Sequence, residues 1–533
     1  MKIRQLILGF LTLLVILFFV PSLLESRSQP QIQSRLELYQ TNLLLHAGEW
    51  QGEIGSDSSS KSAREALIGA QPVKTAQKQY MEARKEAQTN LEKAIAQLKQ
   101  YQNLEATPSP AAEPPLTVTA NPDRSDYPSQ QPLRESIDGL ESLINELDLD
   151  IGILQARQGE VEAALKTWQS VSDRPSAKIG QAAEAKTATV LIGLWSNPPR
   201  ILPDAEPTIQ KYLDGWFRDR GLSQLYNLQQ RSTALVKLQS TEQEIAQQAV
   251  VKLAIVAALP TLGFLIGVAL LILLVAQRLI RKENSLLAQN ENVSWSTPWD
   301  AETIWQVFIV GFFGMQLLIS AVFIPLAFKL LNLTPAAFDV RSKAIYVLTT
   351  YMLVALGGVL VLYFSVKSFL PLPEGWFRFD LFGKWFLWGL GGYFVALPLV
   401  IVVSLINQEI WKGEGGSNPL LSLALESKDG VALAIFFFTA AIAAPLFEEF
   451  LFRGFLLPSL TRYMPVWGAT IASSLLFAVA HLSLSEVLPL TTLGIVLAVV
   501  YTRSRNLLAP MLLHSLWNSG TLLSLFILGS GST

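Results

Sequence analysis

The stretch Ala443–Phe455, AAPLFEEFLFRGF, places two adjacent glutamates and an arginine inside a long apolar segment. The surrounding run, 431–460, is otherwise almost entirely apolar, and it exceeds the roughly 20 residues that cross a bilayer. Ionisable side chains at that depth are costly, and they usually mark a functional site or an ion pathway. Glu448, Glu449 and Arg453 are therefore the first candidate functional residues.

The composition of the whole chain indicates a membrane protein. Hydrophobic residues make up 50% of the 533 residues and charged residues only 16%, which is too apolar for a soluble protein of this length. The formal net charge of -2 provides no basic surface, so nucleic acid is not an expected partner. The chain has no cysteine, which excludes disulfides, thiolate metal ligands and a cysteine nucleophile.

Apolar runs of roughly the length of a membrane span recur along the chain. The pattern predicts an all-α fold, a polytopic membrane helical bundle of about nine spans. The first run reads as an uncleaved anchor and not as a signal peptide, because it is long and VPSLLES is a poor cleavage site. The runs lie near residues 5–22, 250–277, 304–331, 344–371, 384–406, 431–460, 466–484, 487–502 and 506–528.

Lysine and arginine are distributed unevenly among the connecting loops. If the spans alternate in direction, every strongly basic loop falls on one side, which the positive-inside rule assigns to the cytoplasm. The loop 407–430 and the turn 483–486 carry acidic residues and fall on the other side. The long polar segment 24–249 is then extracytoplasmic or lumenal.

Four segments are expected. They are a membrane anchor helix at 1–23, a helical extracytoplasmic domain at 24–249, a second membrane helix with a basic flank at 250–282, and a membrane domain at 300–528. The polar domain contains a Pro-rich linker near 107–132. Its stretch Leu147–Val171 resembles one helical hairpin of a tetratricopeptide-type repeat. That resemblance leaves two readings open, a surface for a protein partner and a helical extension that packs on itself or on the membrane domain.

Three spans of the membrane domain each present a polar face. Glu449 and Arg453 are four residues apart and share a helix face, whereas Glu448 points about 100° away. Four-residue spacing recurs between Phe477 and His481 in FAVAH, and between His514 and Asn518 in HSLWN. With a rise of about 1.5 Å per residue, the Glu448, His481 and His514 positions lie roughly 18, 24 and 12 Å from the basic ends. All three depths fall within the hydrocarbon layer, so the side chains can reach one common cavity.

The three motifs EEFLFR at 448–453, FAVAH at 477–481 and HSLWN at 514–518 resemble EExxxR, FxxxH and HxxxN of the CAAX-protease and bacteriocin-processing family, also called the Abi family. That family consists of intramembrane endopeptidases. The resemblance covers roughly 300–528, and its order and spacing fit without a departure at any motif position.

The resemblance implies a role for each motif residue. Glu448 activates the water and later protonates the leaving amine, while His481 holds or polarises the same water. His514 and Asn518 donate hydrogen bonds to the oxyanion. Glu449 and Arg453 form a structural ion pair, and Phe477 supports the site. The expected substrates are membrane proteins or membrane peptides, cleaved in the lipid bilayer without a cofactor.

Two alternatives stay open at the level of sequence. Glu448, His481 and His514 could instead be three zinc ligands with an open fourth position, although the chain lacks the HExxH motif of zincins. Buried Glu, Arg and His side chains also occur in transporters, and a membrane scaffold or regulator of other membrane proteins is a further alternative.

Overall fold

The structure is a computed structural model that describes residues 3–29, 31, 33–52, 65, 67–106, 131–174, 179–292, 295–335, 338–427 and 429–529. These residues form helices and connecting turns and contain no strand. The predicted all-α fold is confirmed. The Pro-rich linker predicted near 107–132 lies outside the described residues, except for its last two, which begin a helix.

In chain order the helices are α1 (Ile3–Glu25), α2 (Gln33–Gly48), α3 (Pro72–Ala106), α4 (Gln131–Arg157), α5 (Val161–Ser172), α6 (Ile179–Trp195), α7 (Ala205–Tyr212), α8 (Gly215–Leu228), α9 (Ser232–Arg281), α10 (Ala301–Leu331), α11 (Val340–Val366), α12 (Trp385–Trp411), α13 (Pro419–Glu426), α14 (Gly430–Leu460), α15 (Val466–Val479), α16 (Val487–Ser504) and α17 (Leu508–Gly529). The chain forms two compact units. One comprises Met1–Gln33 with Ile255–Ser530, here called the membrane unit, and the other comprises Ser34–Ala254, here called the polar unit.

Eight of the described helices are long and apolar enough to cross a membrane, namely α1, α9, α10, α11, α12, α14, α16 and α17. The seventh expected span differs from the sequence prediction. Its apolar run continues to residue 484, but the helix α15 ends at Val479 after 14 residues, about 21 Å at the usual rise. That length is less than the ~30 Å of a hydrocarbon core. His481 therefore lies in the turn that follows a short helix, not inside a full span.

Contacts between loops connect the ends of these helices on two opposite faces of the membrane unit. At one face, Arg4 pairs with Glu302 at 3.0 Å, and the Arg505 guanidinium lies 3.6 Å from the Trp295 ring centroid. At the opposite end of α1, Leu484 N donates to Ser26 Oγ at 3.1 Å. The basic connections and the 483–486 turn thus lie at opposite ends of the bundle, as alternating spans require.

The polar unit contains the helical hairpin that the sequence predicts. Helices α4 and α5 are joined at Gly159, which adopts a φ of +85°. They approach closely at Gly152, where a Cβ would lie 2.1 Å from Trp168 Nε1. Trp168 is fully buried, and its indole N–H donates to Leu149 O at 3.0 Å. A glycine on one helix thus makes room for a tryptophan on the other.

Aromatic packing forms the centre of the membrane unit. Phe452, Phe455 and Phe477 are 0–1% exposed and lie between α14 and its neighbours. The Phe452 ring meets Phe477 edge to face, with the centroids 5.4 Å apart. Trp299 stacks on Phe455 and donates to Ser459 Oγ at 2.8 Å. These contacts hold α14 and α15 together beside the ionisable residues.

Candidate active site

The helix that carries both glutamates is interrupted by a π-helical turn at Thr439–Ala443. In this turn the Ala444 N–H bonds to Thr439 O, five residues back, so the carbonyl of Ala440 loses its usual partner. Pro445 has no N–H, so the carbonyl of Ala441 also lacks a donor four residues ahead. Two backbone carbonyls in the middle of a membrane helix therefore have no backbone N–H as a hydrogen-bond donor.

Helix α17 satisfies both carbonyls with side chains. Asn518 Nδ2 donates to Ala440 O at 2.7 Å, and Ser515 Oγ donates to Ala441 O. Unpaired polar groups are costly in lipid, so these bonds bind α17 to α14 at one register. The tie brings His514, one residue before Ser515, against the face of α14 that holds Glu449.

A buried ionic network connects three helices at this point. Glu449 Oε1 accepts a hydrogen bond from Arg453 at 2.8 Å and another from His514 Nδ1 at 2.8 Å. Arg453 also donates to Gly494 O at 3.2 Å, which adds α16. Glu449 and Arg453 are 0% exposed and His514 is 3% exposed. Each charge in this dry environment has an opposite charge beside it, which offsets the cost of its burial.

Phe477 lies between this network and His481. The Arg453 guanidinium is 4.4 Å from its ring centroid, a cation–π contact. His481 and His514 pack against the same ring, with centroid separations of 4.9 and 5.7 Å. The ring thus separates the two histidines and contacts both.

Glu448 belongs to a different environment from Glu449. Its carboxylate lines a cavity of about 310 Å³, together with residues of α10, α11 and the turn after α15. Glu448 Oε1 accepts a hydrogen bond from Tyr351 Oη at 3.2 Å, while Oε2 is buried and has no partner among the described residues. Thr350 Oγ1, in the same lining, is also buried without a described partner. Two lining residues of this cavity therefore each have a buried oxygen without a described hydrogen-bond partner.

His481 lines the same cavity. Its Nδ1 lies 2.8 Å from Phe477 O. Because a carbonyl can only accept, this contact assigns the proton to Nδ1 and leaves Nε2 as an acceptor in the neutral ring. Such a tautomer can accept a hydrogen bond from a water whose other neighbour is a carboxylate. The cavity lining thus contains two hydrogen-bond acceptors, the Glu448 carboxylate and the His481 Nε2.

The structure divides the predicted site residues into two sets. Glu448 and His481 share the cavity, whereas Glu449, Arg453 and His514 form the buried network, and Asn518 ties α17 to α14. His514 and Asn518 do not line the cavity.

Sequence reasoning missed Tyr351, Ser515 and Gly494. The available signal for Tyr351 was the cluster of polar residues at 346, 350 and 351 inside an apolar span. No pattern in the sequence indicated that Gly494 O accepts from Arg453.

Comparison with known proteins points to the part of the chain that carries the three motifs. A family model, Type II CAAX prenyl endopeptidase Rce1-like, matches residues 430–520, which contain all three motifs. The chain is 26% identical over 140 residues to YdiL of Bacillus subtilis (strain 168), named as a candidate membrane peptidase, covering 26% of this chain and 56% of that protein. It is 28% identical over 137 residues to the membrane-embedded CAAX protease MroQ of Staphylococcus aureus (strain USA300), covering 25% and 54%.

The chain spans about half the length of the curated relatives it matches. No solved structure matches it. The apolar helices and the buried site define an integral, multi-pass membrane protein. Within it, residues 430–520 are similar to the Type II CAAX prenyl endopeptidases of the matching family model.

Proposed function

We propose that the chain is an intramembrane endopeptidase that hydrolyses peptide bonds of membrane-associated proteins with a water activated by Glu448. The observation that carries this proposal is the state of the Glu448 carboxylate, with one oxygen held by Tyr351 and the other unpaired in a cavity shared with His481. A water between the Glu448 carboxylate and His481 Nε2 would find an acceptor on each side, as a nucleophilic water requires.

Glu448 transfers the proton in this mechanism. The carboxylate takes a proton from the water as the oxygen attacks the scissile carbonyl, and it returns that proton to the leaving amine. Tyr351 orients the carboxylate, since its hydroxyl holds one of the two oxygens. His481 is held in turn by its bond to Phe477 O. Both groups are therefore positioned before a substrate arrives, which lowers the cost of reaching the transition state.

Stabilisation of the oxyanion is the proposed role of His514 and Asn518. The Nδ1–H of His514 donates a hydrogen bond to Glu449. The other ring nitrogen, Nε2, would donate to the oxyanion when it carries a proton. Asn518 uses one amide hydrogen for Ala440 O and has a second to donate. His514 and Asn518 would reach the scissile carbonyl only after a bound substrate has displaced side chains around Phe477.

A metal-free reaction is part of the proposal. Among the described residues, no group of three or more His, Asp or Glu side chains is placed to hold a metal ion. The zinc alternative would need Glu448, His481 and His514 together, yet Glu448 and His481 share a cavity that His514 does not line. As arranged, Glu448 and His481 can hold a water between them, whereas a third zinc ligand from His514 would require side chains to move.

The orientation proposed for the chain follows from its charge distribution. The basic loops at one end of the membrane unit would face the cytoplasm, and residues 24–249 would then lie in the extracytoplasmic or lumenal space. In that position the polar unit could contact a protein partner.

The decisive experiment is cleavage of a library of membrane peptides by the purified protein in lipid nanodiscs. We expect cleavage by the natural sequence and none by Glu448→Gln, which keeps the shape of the side chain but cannot act as a base. Equal cleavage by both proteins would refute the proposal. No cleavage by a folded natural protein across the library would favour a scaffold.

A further inference from the structure

A second cavity in the membrane unit has no residue in common with the Glu448 cavity. It measures about 620 Å³ and lies between α9, α12 and α16, with Trp467 of α15 at its edge. Aliphatic side chains and two tryptophans make up nearly all of its lining, and the polar exceptions are Gln277 and Lys384. The motifs of the protease domain do not include any of these residues.

The cavity arises from a close crossing between α9 and α12. Gly263 and Gly267 form a GxxxG pattern on α9, a spacing that lets membrane helices approach closely. A Cβ at Gly267 would lie 2.0 Å from Phe394 O, and a Cβ at Gly263 would lie 2.6 Å from Leu397 Cδ1. The two helices therefore touch at this crossing, and the cavity occupies the space between them from Leu270 onward.

The lining changes character along the cavity. The glycine crossing and aliphatic side chains bound one end, whereas Gln277 and Lys384 lie at the other. The Lys384 side chain has no hydrogen-bond or ion-pair partner among the described residues. Arg278 and Arg281 occupy the last turn of α9, directly after Gln277. An apolar slot with the cationic side chain of Lys384 at one end matches an amphiphile with a hydrocarbon chain and an anionic head group.

We propose that this cavity binds one acyl chain of an anionic glycerophospholipid, with the lipid phosphate against Lys384. A membrane helix of a partner does not fit, because a helix about 10 Å across fills roughly 400 Å³ per turn. The cavity would hold about one and a half such turns. The lipid chain of a substrate would belong beside Glu448, whose cavity has a separate lining. The site is thus a structural lipid site, independent of proteolysis.

A larger residue at position 391 would fill the cavity without disturbing the backbone. Gly391 lies in the lining, and a Cβ built on it would meet no atom within 4 Å, so the backbone tolerates a larger residue. Gly391→Leu places its side chain where the acyl chain would lie. The matched control is Gly9→Leu in α1, where a Cβ also meets no atom within 4 Å. Lys384→Gln removes the charge and keeps the cavity.

The test is native mass spectrometry of the full chain released from detergent, followed by titration of the delipidated protein with phosphatidylglycerol and phosphatidylcholine. We expect the natural protein and Gly9→Leu to retain a phospholipid and Gly391→Leu to lose it. Phosphatidylglycerol should bind about fivefold more tightly than phosphatidylcholine, and Lys384→Gln should abolish that preference. Retention by Gly391→Leu, equal binding of the two lipids by the natural protein, or a retained prenylated peptide in place of a phospholipid would each overturn the proposal.

Discussion

His514 donates through Nδ1 to Glu449 Oε1 at 2.8 Å, and this bond joins the last helix to the helix that carries both glutamates. Glu449 Oε1 accepts from Arg453 at the same distance. One carboxylate oxygen thus serves two donors from two helices, whereas the adjacent Glu448 contacts neither of them through a hydrogen bond. Adjacent glutamates therefore have separate environments, and substitutions at the two positions should have separate effects.

The first prediction compares the two glutamates. Glu449→Gln leaves the buried guanidinium of Arg453 without a counter-charge, so we expect a loss of about 3–5 kcal/mol in the free energy of unfolding. Glu448→Gln keeps a side-chain oxygen that can accept the hydrogen bond from Tyr351, so it should change stability by about 1 kcal/mol or less while abolishing cleavage. Thermal unfolding and peptide cleavage, measured on both variants, check this. Equal folding defects would indicate that Glu448 is also a structural residue.

The second prediction concerns Tyr351, which lies outside the three motifs. Tyr351→Phe removes only the hydroxyl that holds Glu448 Oε1. Loss of one hydrogen bond of about 1 kcal/mol should lower kcat by roughly fivefold, with little change in KM. Tyr346→Phe is the matched control, because Tyr346 lines the same cavity and donates no hydrogen bond to Glu448. A similar fall in kcat for both variants would show that Tyr351 acts through packing alone.

The third prediction separates the two catalytic chemistries. In the metal-free mechanism, the purified protein should carry less than one zinc per chain, and cleavage should survive a chelator. His514→Ala should then lower turnover by roughly 10²–10³, the usual cost of losing one oxyanion donor. Zinc content and turnover are measured together in the natural protein and the variant. One zinc per chain that disappears with activity in His514→Ala would instead establish a zinc enzyme.

The fourth prediction tests the tie between α17 and the π-helical turn of α14. Ser515→Ala leaves the Ala441 carbonyl without its donor, and an unsatisfied buried acceptor costs about 1–3 kcal/mol. Pro445→Ala restores a backbone N–H four residues after Ala441, so it should recover part of that loss in the double variant. A double-mutant cycle on unfolding free energies measures the coupling. Additive losses would show that the hydroxyl and the proline act independently.

The fifth prediction concerns orientation, and the absence of cysteine makes it simple to test. Single cysteines at Met81, in the polar unit, and at Phe382, in a basic loop, replace exposed side chains. In intact cells, a membrane-impermeant maleimide should label Met81→Cys, while Phe382→Cys should react only after the cells are opened. The reverse pattern would invert the proposed topology.

The sequence by itself determined that the chain is a membrane protein with a helical fold, and it pointed to the motif residues of the candidate site. Apolar runs identify membrane helices because only helices and closed barrels satisfy their backbone in lipid. Four-residue spacing places Glu449 and Arg453 on one face, since helical periodicity is a local property. The resemblance of the three motifs to the protease family is likewise visible in the residues alone, and the match at 430–520 confirms it.

Tertiary structure decided which of these faces meet. A π turn adds one residue, which rotates the following side chains by roughly 100° relative to a regular helix, and hydropathy does not reveal such a turn. The end of α15 at Val479 is also not encoded in hydropathy, because the apolar run continues beyond it. The contacts of His514 with Glu449, Asn518 with Ala440 O and Tyr351 with Glu448 join residues 65–97 positions apart. Such contacts depend on how whole helices pack, and no local pattern specifies that packing.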